Sequence, residues 1–144
     1  QLQIAKKKVR LYAVIDTLEY LKKGGRLTPA AAAIGTVLNL KPVLRIKGEK
    51  LDAFSKTRGW KAAKKAMIDA IYAVLERDFP GCTLEDMHIA AAFTGKREDA
   101  LDWLEELQEA FPGRDIHMDP LSLSVACHIG PGARAVTIQK KLPF

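Results

Sequence analysis

Apolar positions recur at period two in some stretches and at three and four in others, and the changes of period divide the chain into elements. Residues 9–15 (VRLYAVI) are apolar and β-branched enough for a largely buried strand. Residues 18–23 suit a short helix, with Asp16 or Thr17 offering a side-chain oxygen to an orphan N–H at its start. Gly24-Gly25 ends it, because glycine takes the left-handed conformation that a helix C-terminus often requires. Thr28-Pro29 starts another helix, threonine as cap and proline at the first position, where its missing N–H costs nothing. Small residues dominate its continuation over 30–38, and Asn39-Leu40-Lys41-Pro42 breaks it, since the residue before proline is pushed out of the α region. Residues 43–47 and 50–56, joined by Gly48-Glu49, read as a β-hairpin. Lys and Arg along its edges discourage stray strand pairing.

The clearest helix covers residues 59–77, where Ala63, Ala66, Met67, Ala70, Ile71, Val74 and Leu75 form one apolar face. Residues 87–93 (MHIAAAF) are the next strand, and Thr94 is placed to cap the helix that follows. Leu101, Leu104, Leu107 and Phe111 are that helix's expected buried stripe, and Pro112-Gly113 stops it. Residues 115–118 read as a short strand, 121–127 as a short helix or extended run, and 133–139 as a final strand. The order β-α-α-β-β-α-β-α-β-(α)-β predicts a layered α/β (α+β) domain: a mixed sheet that includes a hairpin, flanked by helices.

Length and composition narrow this little. The 144 residues fit one domain, 1–144, and 48% hydrophobic with 28% charged residues is ordinary globular composition. No apolar run approaches the ~20 residues that span a bilayer, and nothing marks secretion, so the expectation is a cytoplasmic protein. Cys82 and Cys127 lack metal-ligand spacing and read as reduced thiols. Charge changes the picture more. Residues 1–70 hold 16 Lys/Arg against 5 Asp/Glu, whereas residues 71–144 hold 7 against 12. Such asymmetry suits either an anionic partner or a merely solvated basic face. Residues 1–8, polar and basic, read as a frayed helix or as a connector from something upstream.

His128 is the first candidate for chemistry. It precedes Ile129-Gly130-Pro131-Gly132, which bends sharply and is expected to let a ligand reach backbone N–H groups at Gly130 and Gly132. A histidine at such a mouth donates to a carboxylate; the alternative is a histidine bonded to its own loop. Arg26, after the double glycine, presents a guanidinium fork to an anion or is simply a surface charge. Arg58, Lys61, Lys64 and Lys65 surround a helix N-terminus and make the most concentrated positive site in the chain. Only Trp60 accompanies them, too little aromatic surface for nucleic acid to be expected. Three irregularly spaced histidines argue against a metal site, no carboxylate pair stands out, and Cys127 lacks an orienting base, so no enzyme and no cofactor are expected.

Three stretches together resemble the DegV family: LEYLKKGGRLTPAAAAIGTVLNLKPVL (18–44), KTRGWKAAKKAM (56–67) and HIGPGARAV (128–136). The family is two-lobed and bacterial, and its members bury a long-chain fatty acid between the lobes. The chain is similar to the second, C-terminal lobe alone. The resemblance implies that His128 contacts the fatty-acid carboxylate. It also implies that Arg58, with Lys61, belongs to a basic surface that docks a fatty-acid kinase for phospholipid metabolism. The resemblance implies that the N-terminal lobe is missing here, and an exposed lobe interface is then expected to favour self-association. The competing reading is a basic protein- or anion-interaction module without a buried lipid.

Overall fold

In β1 (Arg10–Val14) the side chains of Tyr12 and Val14 point to one face of the sheet, and Ala13 points to the other along with Ile15 just beyond. That alternation sets the architecture: one six-stranded sheet with an apolar cluster on each side. The computed structural model describes residues 9–32, 40–47 and 50–142. After β1 come α1 (Glu19–Lys23), α2 (Pro29–Ala32), the hairpin β2 (Leu40–Lys47) and β3 (Lys50–Arg58), and the long α3 (Gly59–Asp78). Then follow β4 (Met87–Phe93), α4 (Leu101–Ala110), β5 (His117–Pro120), α5 (Leu123–Ile129) and β6 (Arg134–Lys140). The expected sequence of elements is therefore observed, and the fold is α/β. The expected connector at residues 1–8, the helical stretch 33–38 and the Gly48-Glu49 turn lie outside the described residues.

Strand order is β3-β2-β1-β6-β4-β5. Every neighbouring pair is antiparallel except β4 and β5, which run parallel. The last strand is inserted between the first and the fourth, with Arg10 opposite Ile138 and Val14 opposite Arg134. Both edges of the sheet are modified. At β3, Leu51 donates to the Arg26 carbonyl and accepts from the Thr28 N–H, so the α1–α2 connection occupies part of the edge. At β5 the strand is four residues long and ends on Pro120.

Helices α3 and α4 cover one face, packing Met67, Ile71, Val74, Trp103, Leu107 and Phe111 against Tyr12, Val14, Ile89, Val136 and Ile138. The opposite cluster is smaller and sits at one end, where Leu18, Leu21, Leu27, Ala31 and Ile129 meet Ile15, Leu44 and Ala133. The α4 stripe differs from expectation. Leu101 is 43% exposed, while Trp103 is fully buried and its indole N–H donates to the Ala135 carbonyl. Leu101 opens the helix directly after the 3₁₀ turn Glu98–Ala100, so its side chain lies off the face that Trp103, Leu107 and Phe111 present to the sheet. Of the expected caps, Thr17 does offer its hydroxyl to the start of α1, accepting from Glu19 N–H at 3.3 Å, although Leu18 stands at the N-cap and Asp16 turns to Lys41. Thr94 caps no helix and is buried. Thr28 does cap α2, accepting from Ala31 N–H at 3.2 Å.

α3 and α4 are joined by Lys64, a buried ammonium 2.5 Å from Asp102 and 2.8 Å from Glu106. Burial alone would push the Asp102 carboxyl up, but the Lys64 ammonium outweighs it and holds the group below its ordinary 3.8. A depressed carboxylate pKa stabilises the fold above the unfolded value and loses that contribution as pH falls through the folded one. Asp102→Asn is therefore expected to lower stability near pH 7 and to matter little near about pH 2, measured by urea unfolding at both. In the same assay Trp103→Ala should cost about 3–5 kcal/mol, whereas Leu101→Ala should stay within about 1 kcal/mol.

Candidate ligand-binding site

The ends of β1, β4 and β6 meet at one end of the sheet, because β6 runs antiparallel to both neighbours. There the backbone leaves β1 at Ile15-Asp16, leaves β4 at Thr94 and enters β6 from Ala133. Helix α5 delivers its C-terminus to the same place. The stretch 121–127, expected as helix or extended run, is helical over Leu123–Ile129, so His128 lies in the last helical turn rather than in the loop. A basic group suits that position against the negative end of the helix dipole.

His128 is half-buried, and its imidazole forms no hydrogen bond with any described residue. Gly24, at the end of α1, faces it. A Cβ built on Gly24 would stand 3.1 Å from His128 Nδ1 and 3.8 Å from Arg26 Cδ. Arg26 and His128 thus flank one spot. Arg26 is exposed and donates from Nη1 to the Gly24 carbonyl at 2.7 Å, folding its guanidinium back over the turn. Exposed apolar side chains lie on the two helices that meet here: Tyr20 on α1 is 43% exposed, and Leu123 and Val125 on α5 are 81% and 41% exposed.

The glycine loop is built differently from expectation. Gly130 has φ +81° and its Cα lies against the Tyr20 ring, where a Cβ would come within 2.6 Å of Cδ2. Its N–H donates to the Ala126 carbonyl at 2.8 Å, and the Gly132 N–H to the Thr94 carbonyl at 3.1 Å. The Ala133 N–H donates to Thr94 Oγ1 at 2.9 Å, and Pro131 has none. The expected N–H groups of Gly130 and Gly132 are consequently spent inside the protein. What Gly130 supplies is close approach to Tyr20, whereas Gly132 supplies the positive φ of +84° that the bend requires.

Asp16 extends the site sideways. Its Cβ lies 3.5 Å from the Cβ position of Gly132, and its carboxylate is 2.5 Å from Lys41 Nζ. That ammonium also lies 5.1 Å from the centroid of the Trp60 ring, in the first turn of α3. Arg58 ends β3 opposite Leu40, and Lys61 is exposed one residue beyond Trp60; neither forms an ion pair with a described residue. They share the sheet end with His128, Arg58 being three strands from β6, roughly 14 Å at ~4.8 Å per strand. Among the described residues no cluster of His, Cys, Asp and Glu could hold a metal, and no helix is long and apolar enough to cross a membrane. Thr94, Tyr20 and the Asp16–Lys41 pair had no sequence signal beyond ordinary cap, surface and loop residues.

A family model described as "Uncharacterised protein, DegV family" matches residues 1–141, and the chain belongs to that family. Protein DegV of Bacillus subtilis is 31% identical over 136 residues, which are 94% of this chain and 46% of that protein. The chain thus spans about half the length of the curated relatives it matches. Among solved structures it is similar to a fatty-acid-binding DegV family protein of Streptococcus agalactiae, at TM-score 0.79 and 29% identity over 98% of this chain and 48% of that one. A DegV family protein of Thermus thermophilus, described for its fatty-acid binding, aligns at TM-score 0.80 and 28% identity over 97% and 48%.

Gly130→Ala should destabilise the chain by at least about 1–2 kcal/mol from the left-handed backbone alone. Adding Tyr20→Ala should relieve part of the cost but not all, giving a positive coupling in a double-mutant cycle followed by thermal melts.

Proposed function

We propose that this chain is the second half of a fatty-acid carrier and supplies one side of the head-group site. The observation that carries the reading is the His128 imidazole, half-buried, without a hydrogen bond to any described residue, beside Arg26 and on a helix that also exposes Leu123 and Val125. A long-chain carboxylic acid needs that combination: donors for the carboxylate and apolar surface for the chain, with ~0.8 kcal/mol gained per buried methylene. The fatty acids bound by the Streptococcus and Thermus relatives support it. His128 donates to the carboxylate, Arg26 adds positive charge, Gly130 shapes the wall by allowing close packing on Tyr20, and Gly132 shapes it through its positive-φ bend.

The rest of the pocket comes from a complementary half. On β4 and β6, five positions turned away from α3 and α4, His88, Ala90, Ala92, Thr137 and Gln139, are only half-buried, as a surface awaiting a cover would be, although Ala135 between them is buried. Left uncovered, it favours self-association. Arg58 and Lys61 face an acidic partner surface, for which a kinase acting on the bound fatty acid is the candidate. The chain performs no catalysis, takes no cofactor other than the fatty acid as ligand, and works in the cytoplasm. The unpaired exposure of Arg58 and Lys61 also favours a second reading, a basic interaction module without lipid, whose binding would weaken steeply with salt.

In a chain carrying both halves, His128→Ala should weaken binding of an eighteen-carbon fatty acid about ten- to a hundredfold, the worth of a hydrogen bond to a charged group. Titration calorimetry checks this. Unchanged affinity in a folded variant would remove His128 from the site and leave the interaction module as the better reading.

A further inference from the structure

Thr94 is 4% exposed at the end of β4, and it meets the loop after α5 through four hydrogen bonds. Its N–H donates to the Ala133 carbonyl at 3.2 Å and its carbonyl accepts from Gly132 N–H at 3.1 Å. Its hydroxyl accepts from Ala133 N–H at 2.9 Å and donates to the Gly130 carbonyl at 2.6 Å. The hydroxyl thus uses its donor and an acceptor site at once, which a serine could reproduce and a valine could not.

The helix that carries His128 ends where this loop begins. The last bond of α5 runs from Gly130 N–H to Ala126, and the carbonyl of that same Gly130 is the one Thr94 holds. Tyr20 presses on the other side of Gly130, leaving no space for a Cβ. Gly130 is therefore fixed from two directions, two residues beyond His128. With no hydrogen-bonded partner among the described residues, the imidazole is oriented by packing, Gly24 included, and by the placement of the backbone it stands on. We infer that Thr94 is a positioning residue for the head-group site: its hydroxyl sets the end of α5 and, through it, where His128 stands relative to Gly24 and Arg26. This rests on the assignment of His128 to the carboxylate.

The test compares Thr94→Val, which keeps shape and removes the hydroxyl, with Thr94→Ser, which restores it. In a chain carrying both halves, Thr94→Val should bind stearic acid at least tenfold more weakly and Thr94→Ser within about threefold of wild type, at matched far-UV circular dichroism. Imidazole resonances of His128 should move in the valine variant while those of His88 and His117 stay, which a general loss of stability would not produce. If the valine variant fails to fold, Thr94→Cys gives the same comparison, its thiol being a weak donor and acceptor. Valine-variant affinity within threefold of wild type, in a protein whose His128→Ala variant has lost binding, would overturn the role of Thr94 and leave that of His128 standing. A serine variant as weak as the valine variant would overturn it too. Normal binding by His128→Ala would overturn both.

Discussion

The pairing of β1 with β6 is the constraint on which the rest of the molecule depends. It joins segments more than a hundred residues apart, from Arg10 opposite Ile138 to Val14 opposite Arg134. Closing that long a loop is entropically costly, and the return comes from strands with fully buried side chains such as Val14, Val136 and Ile138. Because β4 then pairs with the other side of β6, three strand ends converge at one end of the sheet. Asp16, Thr94 and the loop after α5 meet there for that reason, and no local sequence feature would bring them together.

Family membership and site geometry inform different parts of the picture. The match over residues 1–141 and the likeness to fatty-acid-binding structures concern one half of a longer architecture. The geometry adds how this half is made: a histidine on a helix end, an arginine folded over a glycine turn, and a loop whose N–H groups are already engaged. A carboxylate approaching this half therefore meets side chains, not a nest of backbone donors. The pairing of Asp16 with Lys41, and of Lys41 with the Trp60 ring, places the basic turn beside the loop at Gly132.

Much of the fold was legible because it depends on local periodicity. The three-and-four spacing of Met67, Ile71 and Val74 and the alternation in MHIAAAF report helix α3 and strand β4 directly. The α4 stripe was misread at Leu101 because periodicity gives a face but not which neighbouring residue begins it. Trp103, with its indole bonded to Ala135, fixes that only through a contact across 32 residues. Thr94 was misread for a related reason. A threonine after a strand and before a helix looks like a cap, and its true partners, Gly130 and Ala133, are brought to it by β6. The glycines after His128 announced a sharp bend, but whether their N–H groups face a ligand or the protein depends on the same tertiary neighbour.

The two margins of the sheet carry a consequence for assembly. Along β3 the α1–α2 connection already occupies both hydrogen-bonding groups of Leu51, and Lys56 and Arg58 are exposed further along that strand. Along β5 the strand is brief and finishes at Pro120, which has no N–H to offer. Neither margin is a template for a seventh strand. The complementary half proposed above would therefore dock on a face of the sheet, leaving a layer between two surfaces rather than one continuous sheet, and a seam between layers is where a long flexible hydrocarbon can lie without breaking a backbone ladder.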